Sequence, residues 1–511
     1  MFTRTYAATL IGIDALIVEA EANITPGLGM FLVGLPDNAV RESQERIRSA
    51  FDNSGLHMPG KKVVVNLAPA DIRKEGSALD LTIATAILAA TEQVSSERTG
   101  SYLIMGELSL DGTIRPIRGA LPIAVRAREA GFRGFILPRE NAPEAAVVEG
   151  LEVIAADTLT GVVGFLNGQT AIEPYHNAPA AQTESDNPYE EDFADVKGQL
   201  QVKRALEVAA AGGHNVLMIG SPGSGKTMLA RRMPSIMPPM TVAESLETTK
   251  IHSVAGKIGS ERGLLTRRPF RAPHHLASQV ALIGGGSNPQ PGEISLAHNG
   301  ILFLDELPEF GRSVLEILRQ PLEDKKVTVS RAKYSIEYPA NFMLVAAMNP
   351  CPCGYYNHPT KECVCSAGAV FRYLNRISGP LLDRIDLHVE VTPVPFEEIA
   401  DDVPRERSAD IRRRVIAARA RQAERFADIE GIHTNAMMNA AMLRRFCRLD
   451  DACNAMLSRA MERLNLSARA YDRIVKVART IADLAGDEDI RPAHVAEAIN
   501  YRSLDRESWG K

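Results

Sequence analysis

Apolar positions in the first third of the chain fall into short runs separated by glycine turns. Lys62-Val63-Val64-Val65-Asn66-Leu67 and Phe135-Ile136-Leu137-Pro138 have the length and composition of strands. Residues 38–54 and 80–90 read as helices between such runs. Residues 6–20 alternate like a strand and are broken by Asp14 and Glu19. The pattern predicts a mixed α/β domain over residues 1–170. Residues 171–191 are rich in Ala, Pro, Asn and Glu with no apolar period, which predicts a linker. Fully apolar runs then recur at Val216-Leu217-Met218-Ile219, Ile301-Leu302-Phe303-Leu304 and Phe342 to Met348. They predict the buried strands of an α/β core over residues 192–395. From 396 to 511 the spacing is helical, with little β signal and no internal repeat.

Two of these runs end in chemistry. The run at 216–219 feeds Gly220-Ser221-Pro222-Gly223-Ser224-Gly225-Lys226-Thr227, a complete G-x-x-x-x-G-K-[ST] loop between a strand and a helix. Its glycines let backbone N–H groups curl around phosphate oxygens. Lys226 is placed to reach the β- and γ-phosphates, and the Thr227 hydroxyl to hold Mg²⁺. The run at 301–304 ends in Asp305-Glu306, at the strand end where open α/β sheets carry their ligands. Asp305 is then a Mg²⁺ contact, and Glu306 the base that polarises the attacking water. The expected ligands are ATP and Mg²⁺.

Composition narrows the setting. The 511 residues suggest about three domains. A net charge of −5 excludes a basic nucleic-acid coat, so any nucleic acid must meet a local basic surface. No secretory or membrane-spanning run is present; the apolar stretch 79–90 is too short to cross a bilayer. Four of the six cysteines lie between 351 and 365, which points to metal or local structure in a reducing compartment. The expected location is cytoplasmic.

Longer segments carry a resemblance. Phe193-Ala194-Asp195-Val196-Lys197-Gly198-Gln199 precedes the phosphate loop. Asn349 ends an apolar strand, Leu381-Leu382-Asp383-Arg384-Ile385-Asp386 follows, and Leu466-Ser467-Ala468-Arg469 opens a helical pattern. Between them lie Ala272-Pro273-His274-His275, Gly284-Gly285-Gly286, Pro291-Gly292-Glu293-Ile294-Ser295-Leu296-Ala297-His298-Asn299-Gly300 and Asn349-Pro350-Cys351-Pro352-Cys353-Gly354. On these motifs the chain resembles the ComM/YifB group of magnesium-chelatase-like AAA+ ATPases over nearly its whole length. The resemblance implies a central AAA+ P-loop α/β domain and a C-terminal helical lid. It implies that Val196 and Gly198 line the adenine pocket and that Asn349 is sensor 1. Arg384 becomes an arginine finger given to a neighbouring subunit of a hexameric ring, with Arg372 and Arg376 as rivals, and Arg469 becomes sensor 2.

The front domain resembles the Lon-type proteolytic domain, whose fold is related to a ribosomal-protein domain. Lys74-Glu75-Gly76-Ser77-Ala78-Leu79-Asp80 falls where such proteases keep a serine, and residues 112–121 where they keep a lysine. Here the two positions are Ala78 and Leu121, so a Ser–Lys dyad is not expected. Ser77 could serve only with a one-residue shift, and Lys74 is expected to point elsewhere.

Cys351, Cys353, Cys363 and Cys365 are candidate Zn²⁺ ligands, with His358 able to replace one. Arg267, Arg268, Arg331 and Lys333 are candidate DNA contacts. The family resemblance implies a DNA translocase or helicase acting on single-stranded or branched DNA, with branch migration during recombination in natural transformation. The alternative is a chelatase-like or chaperone-type ATPase that remodels a protein partner. Glu306→Gln is expected to keep ATP binding and to stop turnover, read by nucleotide titration beside phosphate release; normal hydrolysis would overturn the assignment.

Overall fold

Phe2–Ile11 and Asp14–Thr25 pair antiparallel about a turn at Gly12, whose φ is +66°. The stretch that reads as one strand in sequence is therefore a hairpin. In this computed structural model the described residues are 2–177, 189, 191–259, 263–286, 289–330, 335–400, 405–464 and 466–502. They form two units: 1–182 with 242–265 and 289–291, and 183–241 with 266–288 and 292–511.

The front unit is built on a seven-stranded mixed sheet. Its order is Met30–Val33, Lys62–Ala68, Asp14–Thr25, Phe2–Ile11, Tyr102–Ile104, Gly134–Pro138 and Glu152–Ala156. Helix Asp80–Ala90 is buried at every residue, as its unbroken apolar run requires. Helix Asn38–Asn53 begins where Asp37 Oδ1 accepts from Val40 N at 2.7 Å, an N-cap that ends the preceding loop. A helix from the middle of the chain, Val242–Val254, belongs to this unit. Its Leu246 packs on the front core, and Gly119 N donates to Ser253 O at 3.2 Å. Ser253 also donates through its hydroxyl to the buried carboxylate of Glu144, which accepts from Leu121 N at 2.8 Å. Burial pushes the Glu144 pKa up, and these hydrogen bonds to its carboxylate oppose the rise.

The second unit holds a five-stranded, wholly parallel sheet. Its order is Phe270–Arg271, Ile301–Leu304, Met343–Met348, Val216–Gly220 and Leu387–Val391. Strands buried on both faces explain the unbroken apolar runs. Next to it, Lys326–Ser330 and Ser335–Pro339 pair as an antiparallel hairpin. The C-terminal helices share the core of this unit. Ile411, Val415 and Ala418 of helix Ser408–Arg425 are buried in one cluster with Val216, Leu229 and Val389. Two arginines of that helix brace the unit: Arg414 pairs with Glu207, and Arg425 Nη1 lies 2.8 Å from Asp483 Oδ2.

A polar knot ties the helices to the sheet. Asp386 is buried; it accepts from Asn215 N at 3.1 Å and pairs with Arg473 of helix Ala468–Ala485. Burial opposes its charge, but Arg473 and the His214 ring, its Nδ1 3.4 Å from Oδ2, together outweigh that and hold the carboxyl well below the usual range. Asn215 uses its side chain twice more, donating to Arg384 O at 2.9 Å and accepting from Leu344 N at 2.9 Å. Asp386→Ala is expected to cost about 3–5 kcal/mol, because Arg473 and Asn215 N lose their acceptor. Guanidinium unfolding followed by circular dichroism checks this; a loss under ~1 kcal/mol contradicts it.

Candidate nucleotide site

The parallel register brings three strand ends to one edge. Ile219 is level with Met348, and Leu304 with Ala346. Gly220, Asp305 and Asn349 therefore emerge together, at the edge where a reversal of strand order opens a crevice. The loop after Gly220 needs its glycines. Gly223 and Gly225 have φ of +80° and +93°, and a Cβ on Gly220 would sit 2.3 Å from Val391 O. Helix Lys226–Ile236 starts from this turn, so its free N–H groups face the loop.

Lys226 is buried, and burial lowers its pKa. Its Nζ donates to Gly220 O at 2.7 Å, to Ser221 O at 2.9 Å and to Asn349 Oδ1 at 3.3 Å. Thr227 Oγ1 donates to Asp305 Oδ2 at 2.7 Å. Glu306 adopts a left-handed conformation, φ +53°, which turns it away from the strand direction. Its Oε2 lies 3.1 Å from His275 Nδ1. The loop fits a triphosphate on two counts: its ammonium lies among backbone turns, and the buried Ser224 hydroxyl has no partner among the described residues. Thr227 and Asp305 offer converging hard oxygens, a donor set suited to Mg²⁺, which when bound neutralises phosphate charge.

Upstream, Asp192 to Gly198 packs against the loop helix, where Arg232 Nε donates to Asp192 O at 2.8 Å. Val196 is buried, and its carbonyl is held by Lys203 Nζ at 2.7 Å. Gly198 has φ +59°, and a Cβ there would meet Glu398 Oε2 at 2.3 Å.

The sequence matches known families along most of its length. The family described as "Magnesium chelatase, subunit ChlI" matches residues 192–399. "Subunit ChlI of Mg-chelatase" matches 20–141, and "Magnesium chelatase, subunit ChlI C-terminal" matches 405–502. "Uncharacterized protein YifB" of Escherichia coli is 44% identical over 501 residues, covering 97% of this chain and 96% of that protein. "Competence protein ComM" of Haemophilus influenzae is 44% identical over 508 residues, covering 98% and 97%. The chain belongs to the ComM/YifB group of magnesium-chelatase-like AAA+ ATPases. ATP hydrolysis with Mg²⁺ is the chemistry of that family and of the site just described. The front domain is Lon-like: "Lon protease 3" of Sorangium cellulosum is 32% identical over 142 residues, 26% of this chain and 17% of that protein.

Not every expected residue reaches the ComM/YifB site. Lys226, Thr227, Asp305, Glu306 and Asn349 do. Arg384 does not; its guanidinium is held by Glu323 at 2.6 Å and by Pro380 O at 2.6 Å. Arg376 pairs with Glu309 at 2.8 Å, while Arg372 is exposed on helix Ala367–Leu374. Arg469 is exposed in the first turn of helix Ala468–Ala485. Among the described residues no arginine pairs with Asp305 or Glu306, and none bonds Thr227. Arg267 is exposed, 5.9 Å from the Tyr189 ring centroid. Arg268 corrects the phosphate-facing expectation. It is buried, and its guanidinium donates to Pro238 O at 2.7 Å and Asn299 O at 2.7 Å, so it braces the fold. Arg331 and Lys333 lie outside the described residues, as does much of the 171–191 linker.

In the Lon-like domain, Ser77 Oγ donates to Glu107, Leu121 is buried, and Lys74 donates to Pro69 O. Among the described residues no amine hydrogen-bonds to Ser77.

His275 was missed by role. Sequence pattern marks it only within a family motif; the fold sets it on Glu306 and edge-on to Phe310. With Glu306 read as the general base, a ring 3.1 Å from its carboxylate limits where that carboxylate points. Since a general base contributes about 10²–10⁴-fold, His275→Ala is expected to lower kcat about tenfold with ATP affinity unchanged. Steady-state kinetics beside nucleotide titration checks it; an unchanged kcat would sink the role.

Proposed function

We propose that this protein is a ring-forming motor that couples ATP hydrolysis to movement along DNA, driving branch migration during natural transformation. The observation that carries the reading is the near full-length likeness to a competence protein, joined to a complete phosphate loop. In hydrolysis Lys226 takes up γ-phosphate charge, Glu306 draws a proton from the attacking water, and Asn349 orients that water. Loose phosphoryl transfer needs a further cation at the γ-phosphate. No arginine of the same chain pairs with the site carboxylates among the described residues, which supports delivery of that cation by a neighbouring subunit. Arg384 would have to leave Glu323 to serve, whereas Arg372 is already exposed; the finger assignment rests between them and Arg376. Arg469 completes the set from the lid helix.

DNA contact in this reading comes from Arg267 and from Arg331 and Lys333, which fall in sequence between the paired strands Lys326–Ser330 and Ser335–Pro339. A few cations repeated around a ring give salt-sensitive binding without a basic net charge. The cytoplasm is the setting, and no described helix is long and apolar enough to cross a membrane. Zn²⁺ in the four-cysteine knuckle is part of the same reading.

A second reading follows from the chelatase family match: a motor that remodels a protein partner. Phosphate release with and without forked DNA, beside strand separation at low salt, divides the two. Expected are several-fold stimulation by DNA, unwinding, and loss of both in Lys226→Ala. No stimulation and no unwinding would overturn the DNA reading and favour a protein substrate.

A further inference from the structure

The segment between strand Met343–Met348 and helix Ala367–Leu374 has no regular secondary structure. Within 349–366 only Pro350, Cys351 and Gly354 are buried, and Val364 is 85% exposed. A loop of this length without an apolar core needs another source of order.

Four thiols converge inside it. Cys351, Cys353, Cys363 and Cys365 place their sulfurs within 4.8 Å of one another. Individual separations are 3.3 Å for Cys351–Cys353, 3.7 Å for Cys351–Cys363 and 3.6 Å for Cys353–Cys363. These are far beyond a disulfide bond of about 2.05 Å. They approach the edge of a tetrahedron whose Zn–S bonds are about 2.3 Å, which is about 3.8 Å. His358 is not in the set; its Nδ1 accepts from Thr360 N at 3.2 Å and Lys361 N at 3.1 Å. Soft sulfur donors in this arrangement select Zn²⁺ over the Mg²⁺ of the neighbouring site.

The first thiol turn also leans on the phosphate loop. Gly354 N donates to Cys351 O at 3.0 Å, closing a tight turn with Gly354 at φ +84°. A Cβ at Gly354 would sit 2.4 Å from Pro222 Cδ. Two residues before Cys351, Asn349 bonds Lys226. The turn that carries two of the ligands is therefore in contact with the turn that cradles phosphate, on one side through Pro222 and on the other through Asn349.

We infer that a Zn²⁺ ion bound by Cys351, Cys353, Cys363 and Cys365 braces the phosphate loop through the Gly354–Pro222 contact, so that zinc occupancy sets nucleotide affinity. The inference rests on the knuckle being a zinc site. Closing the loop on a metal fixes the turn, and the fixed turn limits the positions open to Pro222 and Asn349. Loss of the ion frees both, and ATP then has to order the loop as it binds, which weakens affinity.

The test uses the full-length chain. Zinc per chain is measured by elemental mass spectrometry, and the Kd of a fluorescent ATP analogue by titration with Mg²⁺ present. About one zinc per chain is expected. Stripping it with a chelator, or by Cys363→Ser with Cys365→Ser, is expected to raise the Kd about tenfold, with recovery of the stripped protein on adding zinc back. Gly354→Ala is expected to raise the Kd, since its Cβ pushes Pro222 away; zinc content measured on the same sample separates that effect from strain at φ +84° in the ligand turn. Protein that neither carries zinc as purified nor takes it up overturns the metal reading itself. Protein that binds zinc, yet keeps its Kd when stripped and in Gly354→Ala, overturns the brace while leaving the metal site standing. If the double variant fails to fold, stripping and reloading the native chain decides the matter alone.

Discussion

Asp386 is a charge that the fold cannot leave unpaired. Sealed from water, it must be met by cations and amides, and those that meet it come from two distant parts of the second unit, His214 and Asn215 on one side and Arg473 on the other. Asn215 N comes from the start of the phosphate-loop strand, and Arg473 from the long C-terminal helix. The side chain of Asn215 extends the same knot to the strand that ends in Asn349 and to the backbone of Arg384. The strand feeding the loop, the strand that leads to Asn349, the Arg384 segment and helix Ala468–Ala485 are thus fixed to one another by a few polar atoms. Buried ionic knots add little net stability, but they tolerate few alternative arrangements. A site that works by positioning gains from such a constraint.

Much of this was legible in the sequence because it rests on local rules. The loop Gly220–Thr227 and the Asp305-Glu306 pair each follow a four-residue apolar strand, and no tertiary knowledge is needed to place them at a strand end. Helix Asp80–Ala90 and the strand around Val63–Leu67 were equally plain, since continuous burial leaves continuous apolar runs. What escaped depends on distant partners. Arg268 looked like one more cation of a basic run; only the fold shows carbonyls 238 and 299 waiting for it. His275 carried no spacing signal toward Glu306, because it reaches it from the turn after strand Phe270–Arg271. The hairpin at Gly12 hid inside an apolar stretch that one strand would explain equally well.

In the Lon-like domain the polar groups around the serine and lysine positions are engaged by neighbouring groups. Its sheet and buried helix are intact, with Ala78 and Leu121 at the positions where the resemblance places a serine and a lysine. Ser77 holds Glu107, Lys74 closes on Pro69, and Leu121 fills the core while its amide serves Glu144.

Helix Val242–Val254 is encoded inside the ATPase segment but completes the other unit. The two units are therefore not separable by a single cut near the linker. A fragment beginning at Asp192 would carry a helix whose packing surface, Leu246 included, belongs to a missing neighbour. The complementary fragment would lack the hydroxyl that satisfies Glu144. Gene fusion or domain exchange at that boundary leaves both halves incomplete, which binds the inheritance of the Lon-like fold to that of the nucleotide-site unit.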